Sequence, residues 1–422
     1  VPVFSSRGDD HFPVYAPEEK TGVSDMGRLL LPKILFICFF TVALLLQDAG
    51  AFPAKAAEDP MKTHLLLGSE KAFNLDEKGA VSELMKAVEI DPQNPKPHAF
   101  LAMTYLFFYE TSVEAKEKKR NETSLLRAVE AAESRASKRI DKDPKDGEAY
   151  FSMALAKMVK NRWEMANKNY FRAFREAQSV WDFLTKAKEL DPENYDINYP
   201  MGVMHYYLAQ LSGVAGWTAS VFITSGDREK GLKELELAAE KGSLLKDMAQ
   251  STLVSIYNVN EDQPGRALAL GQKLSRKYPD NYNYLFGLGD SYSSLGRFEE
   301  ALSQARQIEK GIKSGAPPYR PELWPRYYHL LGRIYLDEGD YDRAAENLNL
   351  ALKDTAPYNT RVRAWALVRL GMIHDVRNER KQAEEYYTRA LELVGAEGLA
   401  QRRAREYLKT PYSPKGIKEK KG

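Results

Sequence analysis

Histidines, acidic pairs, a lone cysteine and glycine-spaced segments are the residues of this chain whose types could do chemistry, and their spacing argues against each. Four of the six histidines share repeat positions: His205 and His374 fall where Tyr292 and Tyr335 fall in other units, and His64 and His98 share another position. No His-Glu-x-x-His element or clustered Asp/Glu/His spacing is present, so no metal site is expected. The pairs Glu299-Glu300 and Glu384-Glu385 sit at expected solvent-facing helix positions, where nothing would raise their pKa for acid-base work. Gly287-Leu288-Gly289 lies within a predicted helix and lacks the strand that a nucleotide-binding loop must follow. Cys38 is the only cysteine and sits inside an apolar run, which leaves no disulfide and no thiol nucleophile elsewhere. Catalytic residues, cofactors and small-molecule substrates are therefore not expected, and the chain reads as a non-enzyme.

Charge narrows the partners further. The 422 residues carry 61 Lys plus Arg against 59 Asp plus Glu. A nucleic-acid-binding domain would concentrate positive charge on one face, but here the dense basic run is confined to residues 415–421 of a Pro- and Gly-containing tail, so nucleic acid is not an expected partner. The balanced segment EAKEKKRNET, with Lys116, Lys118, Lys119 and Arg120, reads as the exposed face or turn of an inserted helical segment.

The elements that position these residues come from an internal repeat. In GRIYLDEGDYDRAAENLNLALK, Gly332 is followed by Tyr335, Gly339, Tyr341, Ala344, Leu348 and Ala351. The offsets recur with Gly289, Tyr292, Gly296, Phe298 and Ala301, and again with Gly371, Ala383, Tyr387 and Ala390. Small residues at fixed helical offsets let two helices approach closely, and aromatics fill the space between turns. Gly296 and Gly339 stand where a helix end needs a positive φ. Upstream, Gly68, Ala80, Leu84 and Ala87 end at Asp91-Pro92; later Asp-Pro steps at 143–144 and 191–192 are 52 and 48 residues further on, which predicts long helices or insertions in the N-terminal half.

This pattern resembles the tetratricopeptide repeat (TPR) superfamily over most of residues 61–393. The resemblance implies an all-α, right-handed superhelix (α-solenoid) of about eight antiparallel helix pairs, with insertions in the N-terminal half, and a concave groove that binds proteins or peptides. Residues 394–410, LAQRRAREYL among them, are expected to form a polar capping helix, and 411–422 a basic disordered tail. Residues 1–25 are expected to be unstructured and to reflect a start assigned too far upstream. Residues 26–56 have the order of a signal peptide, a basic start, an apolar run at 34–46 and small-residue exits at 49–51 and 54–56. The exported location this implies is the periplasm or cell envelope, with an uncleaved membrane anchor as the alternative; the combination resembles an exported protein of a Gram-negative bacterium.

Members of the superfamily that grip a C-terminal carboxylate do so with Lys and Asn at the fifth and ninth positions of the first helix. Here those positions hold Phe286 and Asp290, His329 and Arg333, and Val368 and Met372, so that clamp is absent. Upstream they hold Tyr199 and Val203, with Tyr206 a turn later. The expected groove is therefore aromatic with isolated charges, suited to an apolar segment, although packing of Tyr199 and Tyr206 against neighbouring helices explains them equally. The uncharged, glycine-broken run 208–226 carries Trp217 and Phe222 and reads either as a buried insertion or as an apolar loop that docks on a membrane component. The first reading makes the chain an adaptor or scaffold in the cell envelope; the second makes it an accessory subunit of an envelope transport or polysaccharide-export system.

Overall fold

The computed structural model describes residues 59–211, 226–396 and 398–414, and among these it contains seventeen α-helices and no strand. The signal peptide expected at 26–56 lies outside the described residues, as do positions 1–25 and positions 415–422 of the expected tail. Among the described residues no helix is long and apolar enough to cross a membrane.

The helices form eight consecutive pairs and a terminal helix. They are α1 (Pro60–Phe73) with α2 (Glu77–Ile90), α3 (Pro95–Thr111) with α4 (Ala115–Lys142), α5 (Gly147–Ala166) with α6 (Tyr170–Leu190), and α7 (Asn198–Leu211) with α8 (Arg228–Lys241). Then come α9 (Lys246–Val259) with α10 (Pro264–Lys277), α11 (Tyr282–Ser294) with α12 (Phe298–Ser314), α13 (Trp324–Glu338) with α14 (Tyr341–Leu352), and α15 (Thr360–Val376) with α16 (Arg380–Glu392). The last helix, α17 (Leu399–Lys409), buries Ala400, Gln401 and Ala404. Each helix packs mainly on its pair partner and on the next pair, as in an α-solenoid. The long Asp-Pro spacings are taken up by helices: α4 has 28 residues, α5 has 20 and α6 has 21.

The size alternation in the sequence becomes close approach. A Cβ on Gly332 would lie 2.6 Å from Leu348, and one on Gly68 would lie 2.6 Å from Leu84, so the first and seventh pairs share one packing geometry. Ala80, Ala87, Ala344, Ala351, Ala383 and Ala390 are all fully buried. Helix ends follow their local chemistry. Asp91, Asp143 and Asp191, each before a proline, leave the helical region and terminate α2, α4 and α6. Gly339 ends α13 at φ +93 and Gly296 follows α11 at φ +69, conformations that a side chain would strain.

One contact could not be read from neighbouring repeats. The ring of Phe73, at the end of α1, stacks on Tyr278 at 5.0 Å between centroids, and Asn281 Nδ2 donates to the Phe73 carbonyl at 2.7 Å across 208 positions of chain. Leu75 adds apolar contact to the core around α11 to α13. The array thus returns on itself, its first pair against the corner between α10 and α11.

Candidate partner groove

The first helices of most pairs pack on the first helices of the following pairs, whereas the second helices chiefly meet first helices. First helices consequently form a layer that runs from α1 to α5 and again from α7 to α15, and polar side chains link several of its members. Arg162 on α5 donates to Glu110 on α3 at 2.6 Å. Asn258 on α9 donates to the Gly287 carbonyl and accepts from Ser291 Oγ, both on α11. Arg326 on α13 donates to Asn283 Oδ1 on α11 at 2.6 Å. Arg333 donates to Asp290 at 2.7 Å and to Ser294 at 2.6 Å, and Ser293 Oγ donates to Asp337 at 2.6 Å. Arg369 on α15 is hydrogen-bonded to His329 Nε2 on α13.

The positions expected to face a partner therefore divide. Asp290, His329 and Arg333 belong to this polar row. Phe286 is buried, with the Arg326 guanidinium 3.9 Å from its ring centre, so it serves as a platform for the cation. Tyr199 is half-buried and packs against two of the core clusters; burial raises its pKa, while a hydrogen bond with Thr252 opposes the rise. Tyr206 corrects the expectation. Its side chain is fully buried and its hydroxyl donates to Glu261 at 2.5 Å, so it is not offered to a partner. The cause is helical phase: Tyr206 lies one turn after Gly202, on the face that approaches α8 so closely that a Cβ on Gly202 would be 2.8 Å from the Gly231 carbonyl. The adjacent Tyr207 is exposed instead. Trp217 and Phe222 lie outside the described residues.

Sequence reasoning missed most members of the row, Arg326 and Arg369 among them. A signal was available, because Arg326 is three residues before His329 and Arg369 three before Met372, which places each beside an inspected position on a helix surface. Together these residues make a cationic site. Burial, reinforced by the charges of Arg369, Arg333 and Arg326, holds the His329 pKa well below its ordinary value, so the imidazole is neutral and acts as an acceptor toward Arg369. Burial and then the charge of Arg333 lower the Arg369 pKa to about 10; burial also lowers that of Arg326. Burial opposes the charge of Arg333 as well, but Asp290 and Asp337 more than offset it. Three other histidines pair with carboxylates, His205 with Glu234, His374 with Glu379 and His64 with Glu83. Among the described residues no group of three or more His, Cys, Asp or Glu side chains could hold a metal ion.

Comparison with known proteins yields three matches to tetratricopeptide repeat family models, at residues 259–317, 325–353 and 366–401. No curated protein matches the sequence. Solved structures that resemble the chain include the human IFIT1 dimer with m7Gppp-AAAA, at 17% identity, covering 83% of this chain and 80% of that one, with a TM-score of 0.44. Yeast Tom70 matches at 14% identity, with 88% and 91% coverage and a TM-score of 0.37. A tetratricopeptide repeat protein from Parabacteroides merdae matches at 14% identity, with 77% and 99% coverage and a TM-score of 0.32.

Proposed function

The chain belongs to the tetratricopeptide repeat superfamily, and from that premise we propose that it is a non-enzymatic scaffold that holds a segment of a partner protein against the layer of its first helices. The observation that carries this reading is the polar row from Glu110 to Arg369. A helix face that existed only to fill a core would be apolar, yet this one presents charged, amide and hydroxyl groups that link helix to helix. Such a surface is rigid and already organised, which reduces the ordering cost of binding a flexible segment. The apolar run at 34–46 with its small-residue exits supports work outside the cytoplasm, in the periplasm or cell envelope.

Photo-crosslinking in the native host tests the reading. A photoreactive residue at Tyr207 or Met372 should trap one and the same polypeptide, while probes at Glu346 and Lys381, exposed on second helices, should not. Equal trapping of that polypeptide from the second helices would overturn it.

A further inference from the structure

Three arginines and a histidine meet where α13 and α15 adjoin, and among the described residues only one of the arginines has a carboxylate in direct contact, Asp290 and Asp337 acting on the others from further away. Arg333 is neutralised by Asp290 at 2.7 Å and Asp337 at 3.5 Å. Among the described residues, Arg326 and Arg369 have no carboxylate within 4.0 Å; their hydrogen bonds go to the neutral Asn283 and His329. Each guanidinium also lies over an aromatic ring, Arg326 over Phe286 at 3.9 Å and Arg369 over Trp365 at 4.9 Å. A ring beneath a guanidinium holds its plane while leaving edge N–H groups free, and a guanidinium has five such donors. Burying a cation without a counter-charge is unfavourable, so groups kept in this state are poised for an anion supplied from outside.

Resting on the groove reading, we infer that Arg326 and Arg369 receive two side-chain carboxylates from an acidic segment of the partner protein. Charge complementarity selects this occupant. A nucleic acid presents a continuous line of phosphates and needs a continuous line of cations; here two guanidiniums are unpaired, Asp290 and Asp337 stand beside them, and the whole chain carries a formal charge of only +2. A terminal carboxylate is disfavoured because the Lys and Asn positions that would grip it hold Phe286, Asp290, His329 and Arg333. Adjacent helix axes are separated by about 10 Å, a distance spanned by roughly three residues of extended chain. Side chains of an extended chain share a face only at even spacing, and four is the first even spacing that reaches this far, so the two acidic residues belong four positions apart. The half-buried Trp365 provides aromatic surface beside them.

The test uses two fluorescein-labelled peptide libraries, identical except that one fixes Asp and the other Asn at two positions four residues apart, the remaining positions being drawn from Phe, Leu, Ala and Ser. Anisotropy is measured against the full chain, with a labelled single-stranded RNA of random sequence alongside. The Asp library should bind roughly tenfold or more tightly than the Asn library. The double variant Arg326→Gln/Arg369→Gln should lose that preference with its circular dichroism unchanged. The paired libraries test the unaltered chain, so the outcome stands even if the double variant fails to fold. Equal binding of the two libraries, binding of neither, a folded double variant that keeps the preference, or RNA binding that exceeds Asp-library binding would each overturn the inference. If crosslinks from Tyr207 and Met372 persist in that event, only the carboxylate assignment fails and the groove reading survives; if they also vanish, both fail.

Discussion

Replacing Phe73 by alanine should loosen a part of the protein that is 208 residues away in sequence. Phe73 packs on the cluster of Val254, Leu274, Tyr278 and Tyr284, and its ring stacks on Tyr278 at an interplanar angle of 23°. Full truncation of a buried phenylalanine costs about 3 to 5 kcal/mol. Phe73 is only partly buried, which brings the loss to about 2 kcal/mol, and this already includes the roughly 0.5 to 1.5 kcal/mol of an aromatic pair. Were the array a simple line of repeats, that loss would stay within the first pair, because each unit would contact only its neighbours. Because Tyr278, Asn281 and Phe73 meet, the loss should instead be shared by the corner between α10 and α11, where Asn281 Oδ1 also accepts from the Asn283 amide at 3.0 Å. Hydrogen exchange followed by mass spectrometry reads both ends at once. If the corner opens through this contact, about 2 kcal/mol corresponds to roughly a thirtyfold loss of protection at residues 278–284. Faster exchange confined to residues 60–77, with the distant corner unchanged, would refute the idea that the closure carries energy.

Two further outcomes follow from packing and burial. Gly231→Ala should destabilise the chain by about 1 to 2 kcal/mol in urea unfolding, since its Cβ would lie 2.6 Å from the Tyr206 amide nitrogen and 2.8 Å from the Gly202 carbonyl, a backbone clash that outweighs the helix-propensity gain of about 1 kcal/mol. Gly287→Ala, whose Cβ would meet only Val254 at 3.9 Å, should show that gain unopposed, and destabilisation at both positions would contradict the argument. Stability should also fall as pH drops below about 6.5: burial depresses the folded-state pKa of His329 and His98, so in that window the unfolded chain binds protons that the native chain refuses, at up to about 1.4 kcal/mol per pH unit for each group. His329→Gln should flatten the fall in melting temperature between pH 7.5 and pH 5.5, and an unchanged slope would show that the imidazole is protonated in the native state.

The repeat was legible because close approach leaves a compositional trace at fixed offsets. Gly332 and Ala344 could be recognised without coordinates since a larger residue at either position would collide with Leu348 or with the backbone around it. Helix ends were equally readable at Asp91 and Gly339, where proline chemistry and positive φ act within a few residues. The closure at Phe73 left no such trace. It depends on small rotations accumulated between successive pairs, and the residues concerned are ordinary aromatic and amide side chains that would suit any helix corner.

The groove lay between these cases. Transfer of repeat positions found Asp290, His329 and Arg333 where α11 and α13 keep regular phase, and it failed at Tyr206, which shares a face with Gly202 and is consumed by packing on α8. Arg326 and Arg369 escaped because the transfer inspected two positions per helix, although a helix offers residues three and four apart on a single face. Their significance also could not come from identity alone. Arg333 differs from them in having Asp290 and Asp337 within reach, and a sequence does not say which of three arginines will find the carboxylates. The scaffold was encoded in short-range size alternation and could be read off, whereas the chemistry a partner meets depends on which charges remain unmatched after the helices are assembled.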